Sequence, residues 1–218
     1  MARKQPPQQP PPVQRVRLRY AKRGNLRFSS SRDFSRAFER ALRRASIPMA
    51  FSSGFSPHPR ISYLNAVPTG MSSEAEFVDI GLAENREIPQ IVDGLNSALP
   101  TGYRILAARE LDGSPELPME ASKWLIATPG DVSAQIAELN AAQTWVVRRE
   151  EKNRDVDVRP AILSLVPVEG GFELISKLEA PLVRPDDVLR ALGVDPALAS
   201  CKRLEQGAYV NGDVVSPL

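Results

Sequence analysis

Apolar and polar residues alternate with two different periodicities in the first part of the chain. Over residues 14–29 the apolar side chains of Val16, Leu18 and Tyr20 alternate with arginines, and this period of two predicts a strand. A turn is predicted at 22–25, and 26–28 is predicted as a short return or continuation of the strand. From residue 31 to 45 the period becomes that of an amphipathic helix, which Ser30 or Ser31 is suited to cap. The apolar positions of this helix are Phe34, Ala37, Phe38, Ala41, Leu42 and Ala45.

The same two patterns continue over the rest of the first half. They predict a short strand at 49–52, a strand pair at 61–67 and 76–82, a helix at 89–99 and a strand at 103–111. The resulting order, β-α-β-β-α-β, is typical of the ferredoxin-like fold.

Residues 112–120 contain two prolines and two glycine or serine positions that break both periods, so we predict a linker over 112–121. The second half then repeats the order of the first, with predicted strands at 122–127, 144–150, 161–168, 172–179 and 202–210, and helices at 131–142 and 185–192. The predicted fold class is therefore α+β, with two tandem ferredoxin-like (βαββαβ) domains built on antiparallel sheets. The predicted domains are a basic N-terminal domain at 15–111 and an acidic C-terminal domain at 122–218.

Composition adds a tail and a charge gradient to this picture. Residues 1–14 are rich in proline and glutamine and have too few apolar groups to offset the entropy of ordering, so a disordered tail is expected. The formal net charge of the chain is +2, but residues 1–60 carry +12 and the remainder carries −10. Such asymmetry predicts an anionic partner for the first segment. Arginine outnumbers lysine by 22 to 6, and its planar fork suits phosphate.

The chain contains a single cysteine, Cys201, and a single histidine, His58. These counts exclude an internal disulfide framework, a cysteine-rich zinc site and a cysteine-ligated iron–sulfur cluster. No apolar run reaches the roughly 18 residues of a membrane span, and the first residues lack the apolar core of a secretory signal. We expect a cytoplasmic protein with no cofactor or metal of its own.

The basic residues of the first segment form the main candidate binding surface. Five arginines fall largely on the polar face of the helix at 31–45, and the loop that follows combines an aromatic ring with a cation. Phosphate contacts by arginine and base stacking by an aromatic ring are the means by which proteins bind RNA. The predicted RNA-binding residues are Arg17, Arg19, Arg27, Arg32, Arg36, Arg40, Arg43, Arg44, Phe55, His58 and Arg60. The alternatives are a solvated helix face and an acidic partner protein.

Two loops are expected to shape this contact or to dock a partner. The first loop, at 53–60, holds two prolines and a glycine, although Phe55 could equally belong to the core. In the second, at 69–76, Glu74 and Glu76 are two residues apart and are expected to share a face, where pairing with Arg60 is favoured over metal binding. The predicted contact residues are Gly54, Ser56, Pro57, Pro59, Gly70, Ser72, Ser73, Glu74 and Glu76.

His58 is the one side chain suited to acid–base chemistry near neutral pH. No base or nucleophile is identified beside it, so no catalytic residue is predicted and His58 is only a weak candidate. The alternative function that it leaves open is a metal-independent RNA endonuclease using His58, Arg60 and a nearby Ser or Tyr.

Several closely spaced segments of residues 15–85 resemble a known family. The segments are 17–20, 26–29, 32–33, 36–41, 43–45, 47–48 and 54–60, with Gly70, Ser72 or Ser73, Glu74 and Glu76. They resemble the radical SAM-associated protein family, a domain of unknown function whose members are fused to, or encoded beside, a cobalamin-binding radical SAM protein. Members often carry Ser-His-x-Asp where this chain has Ser30, Ser31, Arg32 and Asp33.

The resemblance implies a partner rather than a reaction. It implies a cobalamin-binding radical SAM protein that would carry the iron–sulfur cluster, SAM and cobalamin. Together with the charge gradient, it predicts a non-catalytic accessory protein that binds RNA, such as tRNA or rRNA, in RNA modification or processing. A protein that only binds other proteins is the remaining alternative.

Overall fold

The structure is a computed structural model that describes residues 8–113, 116–149 and 153–218. Within these residues the chain is a mixed α+β protein with four α-helices, and the strand pairs inside each part of the chain are antiparallel. The chain divides into two compact units, and the division falls between residues 115 and 116.

The described residues of the first unit form four strands, two α-helices and one short 3₁₀ helix. Its sheet has the order β4-β1-β3-β2. In chain order the elements are β1 (Gln14–Lys22), the 3₁₀ helix (Gly24–Phe28), α1 (Ser31–Arg44), β2 (Ile61–Leu64), β3 (Ser72–Leu82), α2 (Ile88–Ala98) and β4 (Tyr103–Glu110).

The alternating apolar side chains of β1 and the apolar face of α1 pack together in one core. Both α-helices contribute to this core, together with side chains from β1, β3 and β4. Burial of these apolar groups is what holds α1 on the sheet and leaves its opposite face outside. The largest fully buried members are Leu18, Phe38, Leu42, Ile80, Leu82, Ile91, Leu95 and Ile105.

Helix α1 begins and ends where its local sequence requires. Ser30 is the N-cap, and its hydroxyl accepts from the Asp33 backbone N–H at 3.2 Å while the Asp33 carboxylate accepts from the Ser30 backbone N–H at 2.9 Å. This reciprocal capping box satisfies two backbone donors that a helix end leaves unpaired. The helix stops before Ser46, which has a positive φ of 52°.

Several predictions for elements of this unit are wrong. The short strand predicted at 26–28 is instead part of the 3₁₀ helix at Gly24–Phe28. The predicted strand at 49–52 is reduced to two isolated bridges, Met49 to Leu82 and Phe51 to Pro59, because prolines in this hairpin lack the N–H that a ladder needs. The predicted strand at 61–67 ends at residue 64, since Asn65 has a positive φ. The predicted tail at 1–14 is too long, because the buried Gln14 opens β1 and hydrogen-bonds Arg86 and Glu110. Residues 1–7 lie outside the described residues.

The second unit has a four-stranded antiparallel sheet of order β10-β5-β9-β8, with β11 paired to β10. A separate hairpin is formed by β6 and β7. The elements are β5 (Ala121–Ala127), α3 (Ser133–Ala141), β6 (Val146–Arg149), β7 (Arg154–Asp157), β8 (Ile162–Val168), β9 (Gly171–Lys177), α4 (Pro185–Ala191), β10 (Ser200–Val210) and β11 (Asp213–Val215).

The sequence did not predict β7 or its separate hairpin. Arg148 and Asp155 face each other across the hairpin at 2.8 Å, and Arg149 pairs with the buried Asp187 of α4. Charges placed opposite one another favour this local pairing, so the predicted strand at 144–150 does not join the main sheet. Glu150 lies outside the described residues. Cys201 is buried on β10, and burial raises the pKa of its thiol to about 12.

Candidate nucleic-acid interface

The arginine side chains of α1 all lie on its solvent side. Residues 32, 36, 40, 43 and 44 are exposed, whereas Phe34, Phe38 and Leu42 are buried. At 3.6 residues per turn the five arginines fall within an arc of about 120°. The face that they form is defined here as the arginine face, namely Arg32, Arg36, Arg40, Arg43 and Arg44.

The arginine face lacks acidic compensation within the described part of the chain. Arg32, Arg40, Arg43 and Arg44 make no hydrogen bond or ion pair there, and Arg36 interacts only electrostatically with Asp33. Like charges three or four residues apart destabilise a helix by about 0.2–0.5 kcal/mol per pair. The arrangement is therefore unfavourable for the helix by itself, and an anion would relieve it.

Other basic residues predicted to extend this surface are already engaged. Arg17 is 4% exposed and donates two hydrogen bonds of 2.7 Å to the Asp79 carboxylate. Arg19 is half-buried, and its Nε donates to the Glu74 backbone oxygen at 2.8 Å. Arg17 and Arg19 therefore do not belong to the exposed surface. Arg17 and Asp79 are cross-strand partners in β1 and β3, a register that alternation in β1 alone cannot reveal.

Immediately before α1, Arg27 and Phe28 form a second exposed feature. Phe28 is 58% exposed, and the Cζ of Arg27 lies 4.5 Å from the centroid of its ring. Sequence reasoning identified Arg27 but missed Phe28. The available signal was an aromatic residue beside an arginine, two positions before the helix cap.

The loop at 53–60 is the tip and return of a narrow hairpin. The Ser52 N–H donates to the His58 carbonyl at 2.8 Å, and the His58 N–H donates to the Ser52 hydroxyl at 3.0 Å. Phe55 is 65% exposed at the tip, so its alternative placement in the core is wrong. Gly54 has a φ of 123°, which a residue with a side chain rarely adopts.

His58 and Arg60 lie on this hairpin without a catalytic arrangement around them. The imidazole of His58 is exposed and makes no hydrogen bond within the described residues. Arg60 is exposed and its Nε donates to the Phe51 carbonyl at 3.2 Å. A general base normally needs a neighbouring group that orients it, and the described residues place none beside His58.

The two glutamates of the loop at 69–76 do not share a site. The pairing of β1 with β3 shifts between residues 73 and 76, and such a bulge interrupts the alternation of side chains. Glu74 pairs with Arg23, and this hydrogen bond raises the pKa of Arg23. Glu76 is 1% exposed and accepts from the Val67 N–H at 2.8 Å. The expected pairing of these glutamates with Arg60 is therefore wrong.

The described residues lack two kinds of feature. They contain no group of three or more His, Cys, Asp or Glu side chains positioned to hold a metal ion. They also contain no helix that is long and apolar enough to cross a membrane.

The fold and the surface together define a mixed α+β protein with a mostly antiparallel sheet and a strongly basic helix face. Residues 15–186 match the family described as "Uncharacterized protein conserved in bacteria (DUF2344)". Because this match spans about four fifths of the chain, the protein belongs to that uncharacterised bacterial family.

Comparison with solved structures gives distant similarities. The chain is similar to an unknown protein from Galdieria sulphuraria, known from a crystal structure, with 15% sequence identity and a TM-score of 0.26. The alignment covers 88% of this chain and 98% of that one. No curated protein matches the chain.

Proposed function

We propose that this protein is a non-catalytic, RNA-binding accessory protein of a radical SAM enzyme that acts in RNA modification or processing. The arginine face contacts the phosphates of the RNA. The loops at 53–60 and 69–76 shape the contact or dock the enzyme, and the acidic second half of the chain holds the enzyme.

The observation that carries the RNA-binding part is the exposure of five arginines, of which four have no acidic partner among the described residues and Arg36 has only an electrostatic interaction with Asp33. Elsewhere in the same unit, buried or half-buried basic groups do have partners, as with Arg17 and Asp79. Arginine is the side chain best suited to bidentate phosphate contacts. Four of these arginines are spaced four residues apart along one helix, so they can make several such contacts with one polyanion.

The proposed partnership with a radical SAM enzyme does not rest on the arginine face. It rests on the resemblance of the segments between residues 17 and 76 to the radical SAM-associated family. In this proposal the iron–sulfur cluster, SAM and cobalamin belong to the partner.

We further propose that each unit is a ferredoxin-like domain. The order β4-β1-β3-β2 supports this for the first unit, and β10-β5-β9-β8 supports it for the second. In each case the first and third strands of a βαββαβ series are central and antiparallel. The β6–β7 hairpin is then an insertion before the second strand of the second domain.

Salt-dependent binding to bulk tRNA tests the RNA-binding part. With about five phosphate contacts on flexible RNA, the affinity is expected to fall about 100-fold between about 50 and 200 mM salt. The triple variant Arg36→Ala, Arg40→Ala, Arg43→Ala should bind more weakly and lose more than half of that salt dependence. Fluorescence anisotropy of the full chain with labelled tRNA provides both quantities.

A control for the placement of charge is Arg104→Ala combined with Arg154→Ala, to be compared at equal charge with Arg36→Ala combined with Arg40→Ala. Arg104 and Arg154 are exposed and lie outside the arginine face, so their removal should leave the affinity within about twofold. No binding by the unmodified chain, or binding insensitive to salt, overturns the RNA-binding part.

Affinity purification with protein and RNA identification tests the partnership. A radical SAM protein should be recovered with the full chain, and its absence contradicts that part alone. A cleavage assay with His58→Ala separates the endonuclease alternative, which requires cleavage by the unmodified chain and its loss in the variant.

A further inference from the structure

The ring of Phe28 is exposed, whereas two other phenylalanines nearby in the chain are buried. Phe34 and Phe38, in the following helix, are 4% and 0% exposed, whereas Phe28 is 58% exposed. A large apolar ring left in water gives up the free energy of burial. The Cζ of Arg27 lies over the ring, 4.5 Å from its centroid. The guanidinium group therefore covers one face of the ring.

Backbone and side-chain hydrogen bonds hold this surface in place on both sides. The Arg27 carbonyl accepts from the Gly70 N–H at 2.8 Å, and the Ser29 carbonyl accepts from Lys22 Nζ at 2.9 Å. The Ser29 hydroxyl also pairs with the phenol of the buried Tyr103. Phe28 is therefore presented by a fixed backbone, and it requires little further ordering when a ligand binds.

Chain connectivity places this ring next to the arginine face. Phe28 lies two residues before the N-cap Ser30, and Arg32 is in the first turn of α1. At 3.8 Å between consecutive Cα atoms, the Cα atoms of Phe28 and Arg32 are at most about 15 Å apart. One strand of nucleic acid can therefore contact both.

The tip of the hairpin at 51–59 carries a second exposed ring, Phe55, which is 65% exposed. The hydrogen bonds between Ser52 and His58 close the base of this hairpin. The first unit thus exposes at least two aromatic rings on ordered backbone, Phe28 just before α1 and Phe55 on the hairpin that also carries Arg60.

We propose that the RNA bound by the arginine face is single-stranded, with unpaired bases stacked on Phe28 and Phe55. This inference rests on the proposed function and narrows it to one class of RNA. Stacking on a side chain requires a base whose face is open, and paired bases in a duplex cover each other's faces. An aromatic platform beside phosphate-binding arginines is the arrangement that favours single strands.

Comparison of one RNA in two forms tests this inference. The probe is a labelled, unstructured RNA of about 16 nucleotides, free or annealed to its complement. At about 150 mM salt the single strand should bind at least about 10-fold more tightly than the duplex. Phe28→Ala should weaken single-strand binding about 10-fold and leave duplex binding unchanged, while Phe28→Tyr should retain most of the affinity.

The salt dependence separates stacking from charge. Phe28→Ala removes no charge, so the slope of log affinity against log salt should stay the same while the affinity falls. Phe55→Ala should behave in the same way. Leu198→Ala is the control, because Leu198 is an exposed apolar residue of the second unit, and it should leave binding unchanged.

The outcomes distinguish this inference from the proposed function. Equal binding of both forms, with no effect of Phe28→Ala, overturns single-strand recognition but leaves RNA binding through phosphates intact. Failure to bind either form or tRNA overturns the proposed function as well. Retention of an acidic protein without RNA would assign the surface to a protein partner and overturn both.

Discussion

Arg17 and Arg36 carry the same guanidinium group but occupy opposite environments. Arg17 is buried and bidentate to Asp79, whereas Arg36 is exposed and has only an electrostatic interaction with Asp33. A buried charge must be paired because its removal from water is costly, so Arg17 has a structural role. An exposed charge carries no such requirement and remains available to a ligand.

The difference predicts a large stability effect at Arg17. Arg17→Ala leaves the buried Asp79 carboxylate without its cation and should lower the free energy of unfolding by about 3–5 kcal/mol. Arg23→Ala, which removes the more exposed partner of Glu74, should cost about 1 kcal/mol or less. Urea denaturation of both variants measures these values, and equal losses would contradict the argument.

At the scale of elements, structure that depends on local sequence was predicted better than structure that depends on contacts with distant segments. The apolar spacing and the capping serine located α1 within one residue of its observed ends, because both signals lie inside the helix itself. The segment at 49–52 has apolar residues suited to a strand, yet it forms only two bridges. The placement of Phe55 and the separation of Glu74 from Glu76 likewise depend on neighbouring segments.

The capping box of α1 gives a pH-dependent prediction. The hydrogen bond from the Ser30 side chain, followed by that from its backbone, lowers the pKa of Asp33. A lowered folded-state pKa contributes stability above the ordinary value of about 3.9, and this contribution is lost as the pH falls through the folded value. Asp33→Asn should therefore destabilise the protein at pH 7 and cease to do so once Asp33 is protonated.

Unfolding curves of the unmodified chain and Asp33→Asn between pH 7 and pH 3 measure this effect. Ser30→Ala serves as the companion variant and should cost about 1 kcal/mol at pH 7. A difference between the unmodified chain and Asp33→Asn that stays constant over the whole range would contradict the proposed role of the carboxylate.

At the scale of the whole molecule, binding of a polyanion depends on where the charges lie rather than on the net charge of +2. Residues 1–60 carry +12, but pairing in the folded state removes Arg17 from the basic surface and engages Arg19, Lys22 and Arg23. What remains exposed is concentrated on α1 and the segments around it. A polyanion therefore meets a local field much stronger than the net charge indicates.

This concentration predicts different retention of two variants with the same net charge. Arg36→Ala with Arg40→Ala and Arg104→Ala with Arg154→Ala both lower the formal charge from +2 to 0. On a cation exchanger at pH 7 the first variant should elute at distinctly lower salt, because it disrupts the arginine face. Identical elution would show that net charge, not its placement, governs binding.

The α+β class, the helix α1 with its polar arginine face and the charge gradient could be predicted from the sequence alone, because they depend on residues close together in the chain. Which basic residues remain available depends on the folded chain, since Arg17 pairs with Asp79 through the register of two strands distant in sequence. The exposure of Phe28 and Phe55 also depends on the folded chain, because burial depends on what other segments cover. In the folded chain the charge gradient is therefore expressed as a surface of exposed arginines on α1, with the exposed ring of Phe28 two residues before the helix cap.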